Sequence, residues 1–305
     1  MSEASPAPPH VLVPWHDLDL SAGQPVEVYD GSANPADLTV VEYYVVPYAC
    51  PPRCLEIIPE MPALRAVQVL NAGYDDVLPF LRDGIALHNG RGLHDASTAE
   101  HAVALMLAAQ RELPRWLADQ REQRWEETHT GSLAGSRVLI VGYGSIGAAI
   151  EARLRPFDVE IERVARRARP DDGVHAIEDL DALLPWADVV CLVTPLTAAT
   201  RGLLDARRLG LMTDGALLVN VGRGPVVDTD ALLANTGRIR AALDVTDPEP
   251  LPTGHPLWSA TNVLITPHVA GGSAVFYPQA KRFVEDQVAR FLAGEPLRNK
   301  VDTPA

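Results

Sequence analysis

Cysteine is scarce in this chain, and so are aromatic residues, positive charge and long apolar runs. Its 3 cysteines cannot all pair, which excludes a small disulfide scaffold. Cys50 and Cys54 stand in a Cys-Pro-Pro-Arg-Cys segment with no second ligand pair elsewhere, so a zinc centre lacks ligands and reduced thiols are expected. Cys191 lies inside the apolar run 189–193 and reads as core. The longest apolar run, 102–109, is too short to cross a bilayer. Lys and Arg number 26 against 40 Asp and Glu, a net charge of −14. Such a surface repels nucleic acid and anionic membranes. An anionic substrate must then be drawn in by local positive charge. The opening Met-Ser-Glu-Ala-Ser-Pro has neither a basic region nor an apolar stretch, and a cytoplasmic protein is expected.

What is present points to a layered α/β protein. A length of 305 residues suggests two domains, and 47% hydrophobic content suffices for large cores. Residues 1–10, rich in Pro, Ala and Ser, read as a leader. Strands are predicted at 11–13, 26–29, 40–46, 66–70 and 85–87, alternating with turn-rich or weakly helical segments. A long helix is predicted from Ser97, where Ser97 and Glu100 have capping-box spacing and Asp95 adds favourable charge. Pro114 should kink or end that pattern before Trp116 and Leu117 resume it. Leu105, Met106, Trp116 and Trp125 are expected to pack within the chain, with an oligomer interface as the alternative.

From Ser136 the rhythm becomes strand, turn, helix. Strands are predicted at 138–141, 159–164, 189–193, 217–221, 241–245 and 263–266, and a final helix over 274–293 carries the chain back to the first domain.

The first of these strands runs into Gly142-Tyr143-Gly144-Ser145-Ile146-Gly147, followed by a helical stretch ending before Pro156. Strand before and helix after are the context in which a G-x-G-x-x-G turn binds a dinucleotide. Gly142 makes the tight turn, Gly144 lets the backbone approach a pyrophosphate, and Gly147 allows close helix packing. The anion then rests on the N–H groups of the helix N-terminus. NAD sites place an acid after the second strand, about 20 residues on. Here residues 164–169 read Val-Ala-Arg-Arg-Ala-Arg. Arg166 and Arg167 in place of an acid suit a 2′-phosphate, so NADP(H) is expected over NAD(H), against the alternative of a solvated basic turn.

Three later strands each lead into a reactive side chain. Segment 217–221 leads to Arg223, segment 241–245 holds Asp244 and leads to Glu249, and segment 263–266 leads to His268. In a parallel α/β sheet the loops leaving the carboxyl ends of the strands border the ligand crevice. A guanidinium, a carboxylate and an imidazole converging there suit proton-coupled chemistry on an anion.

In order, VGYGSIG (141–147), TPLTAATRGLL (194–204), LLVNVGRGPVVD (217–228), AALDVTDPEPLP (241–252) and NVLITPHVAGG (262–272) resemble the D-2-hydroxyacid dehydrogenases, and among them the glyoxylate/hydroxypyruvate reductase-like members. LNAGYDDV (70–77) and AEHAVALML (99–107) match more weakly. The resemblance implies two domains flanking an active-site cleft. One is a Rossmann NAD(P)-binding domain at 97–283; the other is a smaller, flavodoxin-like substrate domain made of 1–96 and 284–305. It implies that Arg223 grips the 2-oxo carboxylate and polarises the carbonyl, that His268 gives the proton, and that Glu249 orients the imidazole and favours its charged form. By the same resemblance Gly142, Gly144, Ser145, Ile146, Gly147, Thr194, Pro195, Thr200, Val221, Gly222 and His268 line the cofactor. Asp244 contacts its nicotinamide carboxamide. In the first domain Ala72 and Gly73 present backbone N–H groups to the substrate carboxylate, and Tyr48 lines the same cleft. The implied activity is NADPH-dependent reduction of a small 2-oxo acid to the D-2-hydroxy acid by a homodimer, without a metal. The alternatives are a dehydrogenase of another small anion, of the formate or phosphite type, and a non-enzymatic dinucleotide-sensing, corepressor-like protein. His88, His94 and His101 do not share a helix face and read as unrelated residues.

Overall fold

The computed structural model describes residues 10–20, 24–33 and 35–301. The expected leader, apart from His10, lies outside the described residues. The chain forms two compact units, unit 1 from Met1–His94 with Ala274–Ala305 and unit 2 from Asp95–Ser273.

Unit 1 carries a five-stranded parallel sheet of β1 (His10–Val13), β2 (Val26–Val28), β3 (Val41–Val45), β4 (Ala66–Gln68) and β5 (Ala86–His88), in the order β2-β1-β3-β4-β5. This is the flavodoxin-like order. Successive residues point to opposite faces. Val11, Val13, Tyr43 and Val45 enter one apolar cluster, and Leu12, Tyr44 and Val46 enter the other. A parallel sheet buried on both faces needs such unbroken apolar runs. The short α1 (Arg53–Glu56) begins within the Cys-Pro-Pro-Arg-Cys segment, at its Arg53.

Unit 2 begins with α2 (Asp95–Gln110) and α3 (Leu113–Arg121). It continues through β6 (Arg137–Val141), α4 (Ser145–Leu154), β7 (Glu160–Ala165), β8 (Val174–Ala176), α5 (Leu180–Leu183) and β9 (Val189–Leu192). Then come α6 (Ala206–Leu211), β10 (Leu217–Asn220), α7 (Thr229–Asn235), β11 (Arg240–Leu243) and β12 (Val263–Ile265). All seven strands are parallel, ordered β12-β11-β10-β9-β6-β7-β8. Read from β8, this is the doubly wound order, with its switch point between β6 and β9. Leu139, Val141, Val190 and Leu192 face one core, while Val138, Ile140, Val189 and Cys191 face the other. Cys191 is therefore a core thiol.

The last helix, α8 (Phe276–Ala293), returns to unit 1, where Phe276, Ala280, Val284 and Val288 pack under the sheet. The sequence places unit breaks at 96/97 and 283/284, whereas the chain divides at 94/95 and 273/274. One continuous apolar face keeps α8 whole.

Local expectations at Ser97, Pro114 and β8 meet the structure differently. The helix predicted from Ser97 starts at Asp95, so Ser97 is not a cap; it is buried, and its hydroxyl lies 2.6 Å from that of Ser273. Asp95 still supplies negative charge to the first turn. At Pro114 the expected kink or end is an end: α2 stops at Gln110, and α3 takes the pattern up again from Leu113 through Trp116 and Leu117. Glu112 takes φ +51°, and Pro114 occupies the first turn of α3, where its missing N–H costs nothing. Strand β8 is absent from the sequence reading because it is three residues long and only Val174 is buried. Leu105 and Met106 are core residues, while Trp125 is exposed. Among the described residues no helix is long and apolar enough to cross a membrane.

Candidate active site

Parallel register sets the frame of the site in unit 2. Asn220 of β10 pairs with Leu243 of β11, which pairs with Ile265 of β12. The segments carrying Arg223, Asp244 to Glu249, and His268 thus leave adjacent strands from one rung. Neighbouring strands lie about 4.8 Å apart.

His268 sits just past β12 with φ +52°, a conformation that costs a non-glycine residue energy unless its surroundings impose it. Here they do. Its N–H donates to the Asp244 carbonyl at 2.7 Å, and the N–H groups of Val269 and Ala270 donate to the Asp244 carboxylate at 3.0 and 2.9 Å. Thr266 donates its hydroxyl to the same carboxylate at 2.6 Å, and His101 Nε2 lies 3.3 Å away. Burial raises the Asp244 carboxyl, but hydrogen bonds from His101, Thr266, Ala270 and Val269 outweigh it and hold the group below the usual carboxylate range. With this loop fixed, His268 Nδ1–H donates to Glu249 Oε1 at 2.5 Å. The contact occupies Nδ1 and does not involve the other ring nitrogen, Nε2.

Arg223 is placed by a second device. Buried Asn220 accepts from Gly222 N–H at 3.0 Å and donates to the Arg223 carbonyl at 3.0 Å, fixing the bend after β10. A Cβ on Gly224 would stand 1.8 Å from the Thr246 carbonyl oxygen. Only glycine allows the Arg223 loop to lie against the segment leading to Glu249.

The glycine turn occupies the switch point. Gly142 takes φ +108°, and a Cβ there would come within 2.6 Å of the Val193 backbone, so the turn after β6 is pressed against the end of β9. Gly147 is buried under the Gly142 carbonyl, whereas the place a Cβ would take on Gly144 is open. Ser145 and Ile146 open α4, and Ser145 donates to Asp95 at 3.0 Å. Thr194, beside Gly142 and Gly222, is more than nine-tenths buried, yet its hydroxyl has no partner within the protein. Thr200 closes the following turn by donating to the Pro195 carbonyl at 2.7 Å. Val221 is buried and Pro195 exposed. A glycine cradle, a helix N-terminus and an orphaned hydroxyl fit a dinucleotide phosphate.

Arg166 and Arg167 are exposed on the turn after β7. Arg169, also exposed and in the same basic stretch, touches the glycine turn. Its guanidinium donates to the Tyr143 carbonyl at 2.7 Å and lies 5.6 Å from the centre of the Tyr143 ring. His101 and Gly224 act on segments remote in sequence, so spacing gives no signal for them, whereas Asn220 acts on the bend that directly follows it.

In unit 1, Asn71, Ala72 and Gly73 form the bend after β4, tied by Gly90 N–H to the Asn71 carbonyl at 2.8 Å and by Asn89 to the Ala72 carbonyl at 2.8 Å. Tyr48 packs on Phe276 with ring centres 4.2 Å apart. His88, His94 and His101 do not meet; His88 bonds to the Arg298 carbonyl and His94 to that of Leu70.

Residues 103–270 match the family model described as D-isomer specific 2-hydroxyacid dehydrogenase, NAD binding domain. The chain is 37% identical over 264 residues to glyoxylate/hydroxypyruvate reductase B of Salmonella newport, covering 82% of this chain and 81% of that protein. It is 31% identical over 261 residues to D-3-phosphoglycerate dehydrogenase of Archaeoglobus fulgidus, covering 82% of this chain and 49% of that protein. Among solved structures it superposes on an NADPH-dependent glyoxylate/hydroxypyruvate reductase of Sinorhizobium meliloti in complex with NADP and malonate. That match has a TM-score of 0.80 and 27% identity, covering 97% of each chain.

Proposed function

The chain belongs to the D-isomer specific 2-hydroxyacid dehydrogenases, NAD(P)-dependent oxidoreductases, and from that premise we propose that it reduces a small 2-oxo acid of the glyoxylate or hydroxypyruvate type to the D-2-hydroxy acid, using NADPH. The observation that carries this reading is the His268–Glu249 pair, held on a rigid loop one strand from the Arg223 loop. A bound reduced nicotinamide supplies hydride to the carbonyl carbon. The residues that would hold such a cofactor are Gly142 to Gly147, Thr194, Pro195, Thr200, Val221 and Gly222. His268, with Nδ1 committed to Glu249, delivers a proton from Nε2 to the carbonyl oxygen. Glu249 stabilises the imidazolium before transfer and fixes the ring plane. Arg223 pairs with the substrate carboxylate and stabilises charge gathering on the oxygen. In unit 1, backbone N–H groups of the bend at Ala72 and Gly73 share in holding the carboxylate, a role that suits N–H groups in a bend. For the cofactor, arginines stand where an NAD site carries an acid, and Arg166 and Arg167 are assigned to the 2′-phosphate.

A steady-state panel of glyoxylate, hydroxypyruvate and larger 2-oxo acids, each run with NADPH and with NADH, tests this. Reduction of at least one small 2-oxo acid is expected, with NADPH preferred. Tight cofactor binding without turnover of any of them overturns the proposal.

A further inference from the structure

The place that fits a dinucleotide phosphate includes a group of the wrong sign. Helices α2 and α4 pack side by side, with Ala99, Val103 and Met106 of the first and Ile150 and Leu154 of the second in one apolar cluster. Their first residues are Asp95 and Ser145, and the Ser145 hydroxyl donates to the Asp95 carboxylate at 3.0 Å. Both N-termini therefore open at the same spot. The bonded ladder of α4 begins with the Ala148 N–H on the Gly144 carbonyl at 3.0 Å, which leaves the N–H groups of Ser145, Ile146 and Gly147 ahead of it. These are the donors on which an anion rests. Because Ser145 and Asp95 are in contact, any anion bonded to the Ser145 N–H stands within one Debye length of the carboxylate, about 10 Å at 0.1 M salt.

Asp95 is half-buried and Ser145 exposed. The carboxylate meets the positive end of α2, a partial charge of about half a unit, so a net negative charge is left beside the start of α4. The hydroxyl adds to the effect. Its proton is committed to Asp95, so toward a phosphate Ser145 offers lone pairs until that bond breaks.

We propose that Asp95 limits the affinity of this site for its cofactor, acting by charge on the pyrophosphate and by holding the Ser145 hydroxyl, and so hastens release of the spent nucleotide. The inference rests on the reading above, in which the glycine turn and the start of α4 hold a dinucleotide. It is independent of the 2′-phosphate, since NADPH and NADH share the pyrophosphate.

The size of the effect follows from elementary electrostatics. Two unit charges about 8 Å apart repel by a factor of roughly 2–30 in binding, between the permittivity of water and that of a protein surface. Screening by salt draws the factor toward its lower end, to about three- to tenfold. Association rates vary little among variants of one site, so the change falls mainly on dissociation. In many enzymes product release sets kcat, and a residue that loosens the nucleotide then serves turnover.

The test is fluorescence titration of NADPH and of NADH against the wild type, Asp95→Asn and Asp95→Glu, at about 0.05 M and about 0.5 M salt, with dissociation followed by stopped flow. Asparagine keeps an oxygen for the Ser145 hydroxyl and suits the start of a helix, glutamate keeps the charge, and Asp95→Ser serves as a second neutral variant. At the lower salt Asp95→Asn should lower the Kd of both nucleotides by about three- to tenfold and slow their dissociation by a similar factor. The gap should close to within about twofold at the higher salt, and Asp95→Glu should stay within about twofold of the wild type. A merely structural role predicts the opposite, weaker binding in every variant at either salt. Binding unchanged or weakened in the neutral variants, or a gain that persists at the higher salt, overturns the inference alone. Binding of neither nucleotide by the wild type overturns the cofactor reading and this one with it.

Discussion

His268 Nδ1 lies 2.5 Å from Glu249 Oε1, although the two residues follow different strands, β12 and β11. The contact leaves one imidazole nitrogen for chemistry. Replacing His268 with Gln removes the proton donor while keeping a polar side chain of similar reach. The expected outcome is a loss in kcat of roughly 10²–10⁴-fold with cofactor affinity nearly unchanged, read by steady-state kinetics and by fluorescence titration of NADPH. Glu249→Gln should lower kcat by a smaller factor, since the ring loses its orienting charge but not its proton. Turnover unchanged in His268→Gln would refute the acid role.

The arginines after β7 divide by what they touch. Arg166, Arg167 and Arg169 are all exposed, but Arg169 is bonded to the Tyr143 carbonyl inside the glycine turn. Arg166→Gln and Arg167→Gln should each raise the KM for NADPH, by about tenfold for loss of a charged hydrogen bond, and leave that for NADH unmoved. Arg169→Gln should weaken both cofactors together, because both would use the same turn. Equal effects on NADPH and NADH at Arg166 and Arg167 would remove the assignment of a 2′-phosphate.

Gly224→Ala places a methyl group 1.8 Å from the Thr246 carbonyl oxygen. Backbone lies on both sides of this contact, so relief requires moving a loop. We expect a loss of roughly 1–3 kcal/mol or more in stability, together with lost activity, measured by thermal unfolding and by kcat/KM. A stable variant with wild-type turnover would show that the Arg223 loop does not depend on this approach.

Glu151 gives a pH-dependent prediction away from the chemistry. It is buried, and the Arg163 guanidinium, with the Tyr143 hydroxyl and Arg155, holds its carboxyl at about 2 against the opposing effect of burial. The folded value is depressed below the ordinary 4.5. This stabilisation is therefore complete above about pH 4.5 and is lost as pH falls from there through about 2. Urea midpoints measured across that window should fall steeply in the wild type and less steeply in Glu151→Gln. Near pH 7 the variant should be less stable by roughly 3 kcal/mol, because it strands Arg163. Parallel acid limbs in the two proteins would contradict this.

Much of this architecture is legible in the sequence because buried parallel strands demand apolar runs, as at 138–141, 189–192 and 217–219, whereas β2 and β7 carry charged residues among their apolar ones. The strands end about one residue earlier than their apolar runs. Val221, Val245 and Thr266 leave the ladder as the backbone bends to present Arg223, Glu249 and His268. What the sequence conceals is support at a distance. His101 lies on α2, and nothing in its helical neighbourhood signals that it reaches Thr266 and Asp244, more than a hundred residues on. The family resemblance assigns Asp244 to the nicotinamide, while the structure shows it holding the loop of His268, a duty visible only once backbone N–H groups are placed. Ser97 shows the converse error, since its capping-box spacing is real but burial against Ser273 places it inside the helix.

The return of α8 to unit 1 has a consequence for how the chain is made. Val11, Val13, Tyr43 and Val45 present an apolar face whose cover, Phe276, Ala280, Val284 and Val288, is encoded more than two hundred residues later. On the ribosome, unit 2 has its whole sequence available while the first sheet still lacks one wall. Unit 2 should therefore complete its fold first, and the earliest residues synthesised should be among the last to become native, exposed meanwhile to chaperones.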